Sequence, residues 1–355
     1  MRQIRLRDRV IGDGQPALII AEMAWSHDGS VDKARAIIRG AAEAKADAIN
    51  FHITSMEDYM VPQYAGGRGR IAAGKDTKRI YDRLCEINLG HEAWRELFKY
   101  ARKQRLLISA MCNDRRSIEF ATQLDPDMYG IHSACLGEED LLRDIAVKQK
   151  PVFLKVGGTY LGEIERAVRL VRETGNLDIV LIHGIQSYPT VLDDMHLRYI
   201  QSLKQIFSLP VGFADHTDGG FELAMMVPLI AMAFGANVIE KHITHDRCLK
   251  GIDSESALDP EGLAKLVSNL RQIQKAFGSS SARPFSKAEE DYRLVAKKRT
   301  VARTTLEKGE CINMDKIVFK RADDGVYPGE SKFLIGRTLN TRVDKDEPIT
   351  WDKII

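Results

Sequence analysis

The stretches "PVGFADHTDGG" (210–220) and "NVIEKHITHDR" (237–247) decide the fold. Each is an apolar run of strand length that ends on a histidine, His216 and then His242, and a helix-length segment separates them. That is the grammar of consecutive β-then-α units. The same unit recurs upstream. Strand candidates lie at 17–22, 47–53, 106–111, 128–133, 151–156 and 178–183, with 210–214 and 237–242 completing eight. Segments such as "VDKARAIIRGAAEAKA" (31–46) and "LGEIERAVRLVRETG" (161–175) repeat apolar residues at three- and four-residue spacing, as helices do. Eight such units predict an α/β chain, a (β/α)8 TIM barrel over 1–280. "GSSSARPFSKAEED" is Ser- and Pro-rich, so 281–297 reads as a linker, and 298–355 as a small β-rich domain of short strands and Gly/Asp turns.

Composition narrows the function classes. The chain has 355 residues, 44% hydrophobic and 29% charged, with a net charge of +2 and no long block of one sign. No nucleic-acid or membrane partner is expected from such a balance. No apolar run approaches the ~20 residues that span a bilayer, and "MRQIRLRDRVIGDG" lacks the apolar core of a signal peptide. Five scattered cysteines without CxxC spacing predict reduced thiols and a cytoplasmic protein. Cys112 and Cys135 near the rim read as buried small residues rather than nucleophiles.

Chemistry in such a barrel sits at the C-terminal strand ends. Reading those ends gives Glu22, Asn50 and His52, Ser109, His132 and Ser133, Lys155, His183, His216, and Glu240 with His242. Two imidazoles on adjacent strands suit a divalent metal, with positions left for water and substrate oxygens; the alternative is two polar strand ends bonded to backbone. Lys155 ends an apolar strand before "VGGT". It suits an anion, or a Schiff base if its pKa is lowered, and the glycines after it offer free amides to an anion. In "WSHDGS", Asp28 or Ser30 is the expected helix cap, and His27 reads equally as a ligand or a loop residue. The segment 54–90, with "YAGGRGRIAAGKD", reads as a mobile loop over the mouth.

Longer motifs carry a resemblance. "LIIAEMAWSHDGSVDKARAII" (18–38), "YDRLCEINLGHEAWRELFKYARKQRLLIS" (81–109), "IHGIQSYPT" (182–190), "VGFADHTDGG" (211–220) and "GANVIEKHITHDR" (235–247) are similar to stretches of the sialic acid synthases. That group includes the N-acetylneuraminate, legionaminate and pseudaminate synthases and the spore-coat polysaccharide protein E group. The tail from "RTVARTTLEKGECINMDKIVFKRADDGVYP" (299–328) onward resembles their antifreeze-like (SAF) domain. The resemblance implies condensation of phosphoenolpyruvate with an open-chain sugar aldehyde, in surface polysaccharide or nonulosonate biosynthesis. It implies Mn2+ on His216 and His242, catalytic roles for Glu22 and His27, and a domain-swapped homodimer in which Arg321 contacts the partner's sugar; Lys155 joins the catalytic candidates from its strand-end position alone. Asn50, His52, Ser109, His132, Ser133, His183, Gln186, Tyr188 and Asp253 are the further expected substrate contacts.

The chain departs from that pattern where the donor's charge belongs. Asn50 and Gly130 replace lysines, His52 a glutamine, Cys135 a glutamate, Ala110 a threonine, and Lys155 stands where a serine is usual. Lys155 with His52, His132, Arg68 or Arg70 is one way to rebuild an anion site. Two alternatives stay open: a metal- or lysine-dependent keto-acid aldolase or lyase that does not use phosphoenolpyruvate, and a non-catalytic sugar-binding homologue.

Overall fold

The computed structural model describes residues 2–62, 80–278 and 282–355, with the backbone of 71–72 and 75–76. The chain divides into two units, 1–278 and 279–355. The first opens with an antiparallel hairpin, β1 (Ile4–Leu6) and β2 (Arg9–Ile11). Eight parallel strands follow: β3 (Leu18–Glu22), β4 (Ala48–Ile53), β5 (Leu107–Cys112), β6 (Met128–Ile131), β7 (Val152–Lys155), β8 (Ile179–His183), β9 (Val211–Asp215) and β10 (Val238–His242). They close in sequential order into a barrel, β10 pairing back onto β3. A helix follows every strand, from Val31–Glu43 after β3 to Pro260–Phe277 after β10. The fold is the (β/α)8 barrel expected from the eight repeats.

Alternation along each strand sorts its side chains into two layers. Leu18, Ile20, Ala48, Leu107, Met128, Phe153, Val180, Ile182, Ala214 and Val238 fill the lumen. Ile19, Ile49, Ile108, Leu154, Leu181, Phe213 and Ile239 face the helices, in a larger layer with Ile37, Leu97, Val168 and Leu266. The hairpin's Ile4, Leu6 and Ile11 belong to the lumen layer, so they plug the N-terminal end. Two buried aspartates clamp the plug: Asp127 pairs with Arg7 and Arg102, and Asp47 with Arg9 and Arg271. The opposite end is left for chemistry.

Ser30 is the cap of Val31–Glu43, its side chain accepting from Lys33 N at 3.3 Å. Asp28 instead takes a positive φ of 51° and pairs with Lys33 and Arg83. Of the insertion after β4, residues 63–70 with Arg68 and Arg70 lie outside the described residues. Its described flanks pack Met56, Leu84 and Ile87 against Ala24 and Trp25. Among the described residues no helix is long and apolar enough to cross a membrane.

In the second unit, Lys287–Ala296 is a helix within the stretch expected as linker, opened by a Ser286/Glu289 capping box. An antiparallel pair follows, β11 (Lys298–Ala302) with β12 (Ile317–Arg321). Its core is small: Ala302, Leu306, Ile312, Ile317, Val326, Leu334, Leu339, Val343 and Ile349. A small antiparallel domain of this kind fits the β-rich tail expected.

Candidate active site

The side chains that follow the lumen parity upward meet at the mouth. Glu22 from β3, Asn50 and His52 from β4, Ser109 from β5, Lys155 from β7, and Glu240 and His242 from β10 share the phase of the lumen layer. His132 and His216 continue it one residue past β6 and β9.

At the centre is a buried charge cluster. Lys155 Nζ lies 2.5 Å from Glu240 Oε1 and 3.2 Å from Glu22 Oε2. Asn50 Nδ2 donates to the same Glu22 oxygen at 2.5 Å, and the Ala24 amide to the other at 2.8 Å. His52 Nε2 stands 3.5 Å from Glu22 Oε1. Burial by itself raises a carboxyl pKa, but Lys155 and His52 outweigh it at Glu22, which is held well below the usual range. At Glu240, burial and the charge of Glu22 together prevail over the pull of Lys155, and the pKa rises. Burial opposes the charge on Lys155, yet the two carboxylates raise its pKa above the ordinary value. Two carboxyls whose pKa values are driven apart can hold different protonation states at one pH, as an acid and a base require.

Beside this cluster stand three rings. His216 and His242 have centroids 5.2 Å apart, and Tyr188 lies 4.3 Å from His216 and 5.6 Å from His242. His216 Nδ1 is 2.7 Å from Ile185 O; a carbonyl only accepts, so Nδ1 carries the proton and Nε2 keeps its lone pair. His242 Nδ1 is enclosed without a hydrogen-bond partner. Burial and the neighbouring imidazole hold His216 well below its ordinary pKa, and burial brings His242 down to about 4. Both imidazoles are therefore neutral near pH 7, the state that ligates a divalent metal. Among the described residues no group of three or more His, Cys, Asp or Glu side chains forms a metal cage. The pair fits a metal that takes its other ligands from water and substrate.

His27 is buried, with Nδ1 accepting from the Gly29 amide at 3.1 Å and its ring edge-on to Trp94. Nε2 has no partner, and burial lowers the pKa to about 4. His132 caps the short turn Ser133–Cys135, accepting from Ala134 N; burial and Lys155 bring it down to about 3. Ser133 is half-buried beside it. Tyr188 Oη donates to Gln186 Oε1 at 2.8 Å, which ties both to the ring cluster. The charge of Asp253 favours the protonated form of His242, so it faces the same mouth.

Two expectations change. His183 is not a mouth residue: it has the outward parity of Ile179 and Leu181, and its Nε2–H donates to Met195 O at 2.9 Å against Tyr199 and Phe213. Lys155 is not a free cation awaiting an anion, because two carboxylates already hold it, and its raised pKa opposes the Schiff-base role. Arg321 is an exposed end residue of β12 in the second unit. Cys112 and Cys135 are buried, with burial pushing the Cys135 thiol up to about 12 and the Cys112 thiol higher. Glu240 received no role from sequence reasoning. Its parity with His242 was the available signal, and the partner that gives it meaning, Lys155, comes from a strand on the far side of the barrel.

Comparison with known proteins agrees with this geometry. A family profile described as NeuB family matches residues 37–282. The chain is 32% identical to a Methanocaldococcus jannaschii protein named only as uncharacterized protein MJ1065, over 100% of this chain and 99% of that one. It is 29% identical to the N,N'-diacetyllegionaminic acid synthase of Campylobacter jejuni, over 94% of this chain and 98% of the relative. A solved N-acetylneuraminic acid synthetase from Leptospira borgpetersenii superimposes with a TM-score of 0.72 at 30% identity, covering 82% of this chain and 96% of that one. The chain belongs to the NeuB family, that of the sialic acid and related nonulosonate synthases.

Proposed function

We propose that this chain joins phosphoenolpyruvate, or a related three-carbon donor, to the aldehyde of an open-chain sugar, in nonulosonate or surface polysaccharide biosynthesis. The observation that carries the reading is the pair of neutral imidazoles, His216 and His242, beside an ionised Glu22 at the mouth. These two histidines would hold a divalent metal, Mn2+ by family resemblance, which when bound polarises a carbonyl oxygen as a Lewis acid. Glu22, held by Lys155, Asn50 and the Ala24 amide, orients the sugar or the attacking water. Glu240, bonded to Lys155 but with its pKa raised by burial and by the charge of Glu22, is the more readily protonated of the two carboxyls. Tyr188 and Gln186 shape the sugar side, and Ser109 and Ser133 supply hydroxyls from β5 and the turn after β6. Arg321 from a partner chain's second domain completes the proposed sugar contact in a homodimer. Five free thiols suit a reducing compartment such as the cytoplasm.

One observation favours a second reading, in which the donor is a keto acid without phosphate. Lys155 bonds both Glu22 and Glu240, so among the described lumen residues its charge is already balanced. The deciding experiment is phosphate release from phosphoenolpyruvate with a panel of N-acyl sugars, on Mn2+-loaded protein. Release with at least one sugar supports the synthase. No release, but consumption of pyruvate with the same sugars, supports the second reading. Neither, at full metal loading, leaves a sugar-binding homologue.

A further inference from the structure

A second cavity lies outside the lumen, on the helix side of the strand ends. It measures about 610 Å3, within the roughly 300–1,000 Å3 of small-molecule sites. Its walls are the loop Val156–Thr159 after β7, the segment His183–Ile185 ending β8, and the approach to the helix Tyr199–Phe207. None of these groups has a role in the proposed reaction.

Its walls carry polar groups. The amides of Gly157, Gly158 and Thr159 donate to no backbone carbonyl among the described residues, and Gly158 has a positive φ of 73°, as in anion-cradling turns. Arg198, an exposed residue, lines the cavity, and its side chain makes no ion pair or hydrogen bond with a described residue. His183 lines the cavity and is 4% exposed, and because its Nε2–H donates to Met195 O, its Nδ1 is an acceptor. Leu197 and Phe234 supply apolar wall.

The cavity also touches the histidine pair through one carbonyl. Ile185 lines it, and Ile185 O accepts the Nδ1–H of His216 at 2.7 Å, which fixes that ring's tautomer. Gly157 and Gly184 pack so closely that a Cβ on Gly157 would lie 2.2 Å from Gly184 O, so the loop and the β8 end are in direct backbone contact.

We propose that this cavity binds a small hydroxylated carboxylate with an apolar body. The carboxylate sits between Arg198 and the glycine-loop amides, the hydroxyl donates to His183 Nδ1, and the body packs on Leu197 and Phe234. Occupancy presses on the Gly184–Ile185 segment and so alters the hydrogen bond that orients His216.

The test is calorimetric titration of the full chain with 4-hydroxybenzoate, with benzoate and inorganic phosphate as comparison probes, beside 15N spectra of the His216 ring. Expected are saturable binding of 4-hydroxybenzoate, a several-fold loss with benzoate, and at least about a tenfold loss in Arg198→Ala. Ser202→Trp, which fills the cavity from its half-buried edge, abolishes binding, and His242→Ala leaves it unchanged. Circular dichroism and melting of both cavity variants establish that they fold. The proposal is overturned if no saturable binding occurs, if Arg198→Ala and Ser202→Trp bind as the parent does, or if phosphate alone competes equally. Binding that leaves the His216 ring nitrogens unshifted overturns the coupling.

Discussion

Lys155 reaches from β7 across the lumen to Glu22 on β3, the strand diametrically opposite, with Nζ 3.2 Å from Oε2. Glu240 holds the same ammonium at 2.5 Å from a third wall. Strands that share no hydrogen bond are thus tied at the level where chemistry takes place.

Removing that tie leaves two buried carboxyls facing each other without a counter-ion. Lys155→Met is expected to lower stability by about 3–5 kcal/mol, read from urea midpoints at constant m. Adding Glu240→Gln recovers a large part of the loss, because one carboxylate no longer needs neutralising. A double variant no more stable than Lys155→Met contradicts the pairing.

Metal affinity isolates the imidazole pair from the rest of the mouth. His216→Ala and His242→Ala are each expected to weaken Mn2+ binding by at least about 100-fold, as loss of one of two protein ligands should exceed the 10–100-fold cost of a lost supporting contact. Titration followed by the electron paramagnetic resonance of free Mn2+ reads this without any assay of turnover. Affinity equal to the parent's in both variants rules the pair out as the metal site.

Acid sensitivity follows from His27. Its folded pKa of about 4 lies below the ordinary value of 6.5, so the unfolded chain takes up the proton first as pH falls. Above pH 6.5 this group contributes no pH dependence. Between 6.5 and 4 it removes about 3 kcal/mol, and below 4 its effect is constant. His27→Gln should flatten urea midpoints over that window in metal-free protein. An unchanged slope means His27 is already solvated in the fold.

Steric room in the lumen is testable at Gly212. A Cβ there would lie 2.5 Å from Ile182 Cδ1 and 2.7 Å from Val238 Cβ, between the two neighbouring strands. Gly212→Ala is expected to cost about 1–3 kcal/mol by overpacking, seen as a lowered Tm. The companion variant Gly212→Ala/Val238→Ala, which reopens the space, should lose less than the two single changes summed.

The barrel was legible because eight apolar runs alternate with helical periodicity, and periodicity is local. The site was legible only in part. The residues ending each strand can be counted off, but their direction depends on phase, and His183 shows the cost of reading position without phase. From Ile179 its parity is outward, like Phe213 and unlike Ile182. Partners across the lumen were beyond reach for a different reason. Residues 22 and 155 are 133 apart in sequence, and only closure of the barrel brings them together. Lys155 was therefore read as an available charge when the fold gives it two neighbours. Glu240 suffered the converse, a charged residue one step short of a histidine that drew the attention.

The hairpin plug makes the barrel a blind vessel. Ile4, Leu6 and Ile11 stop its lower end, and Ile20, Ile182 and Ala214 fill the layer below the charge cluster. Among the described residues, whatever reaches Lys155 enters at the end where His216, His242 and Tyr188 stand and departs by the same end. Two reactants sharing such a shaft load in sequence, the deeper one first, and the last to arrive stoppers the first. Binding order would then be a property of architecture, and saturating the upper position first should trap the lower one empty.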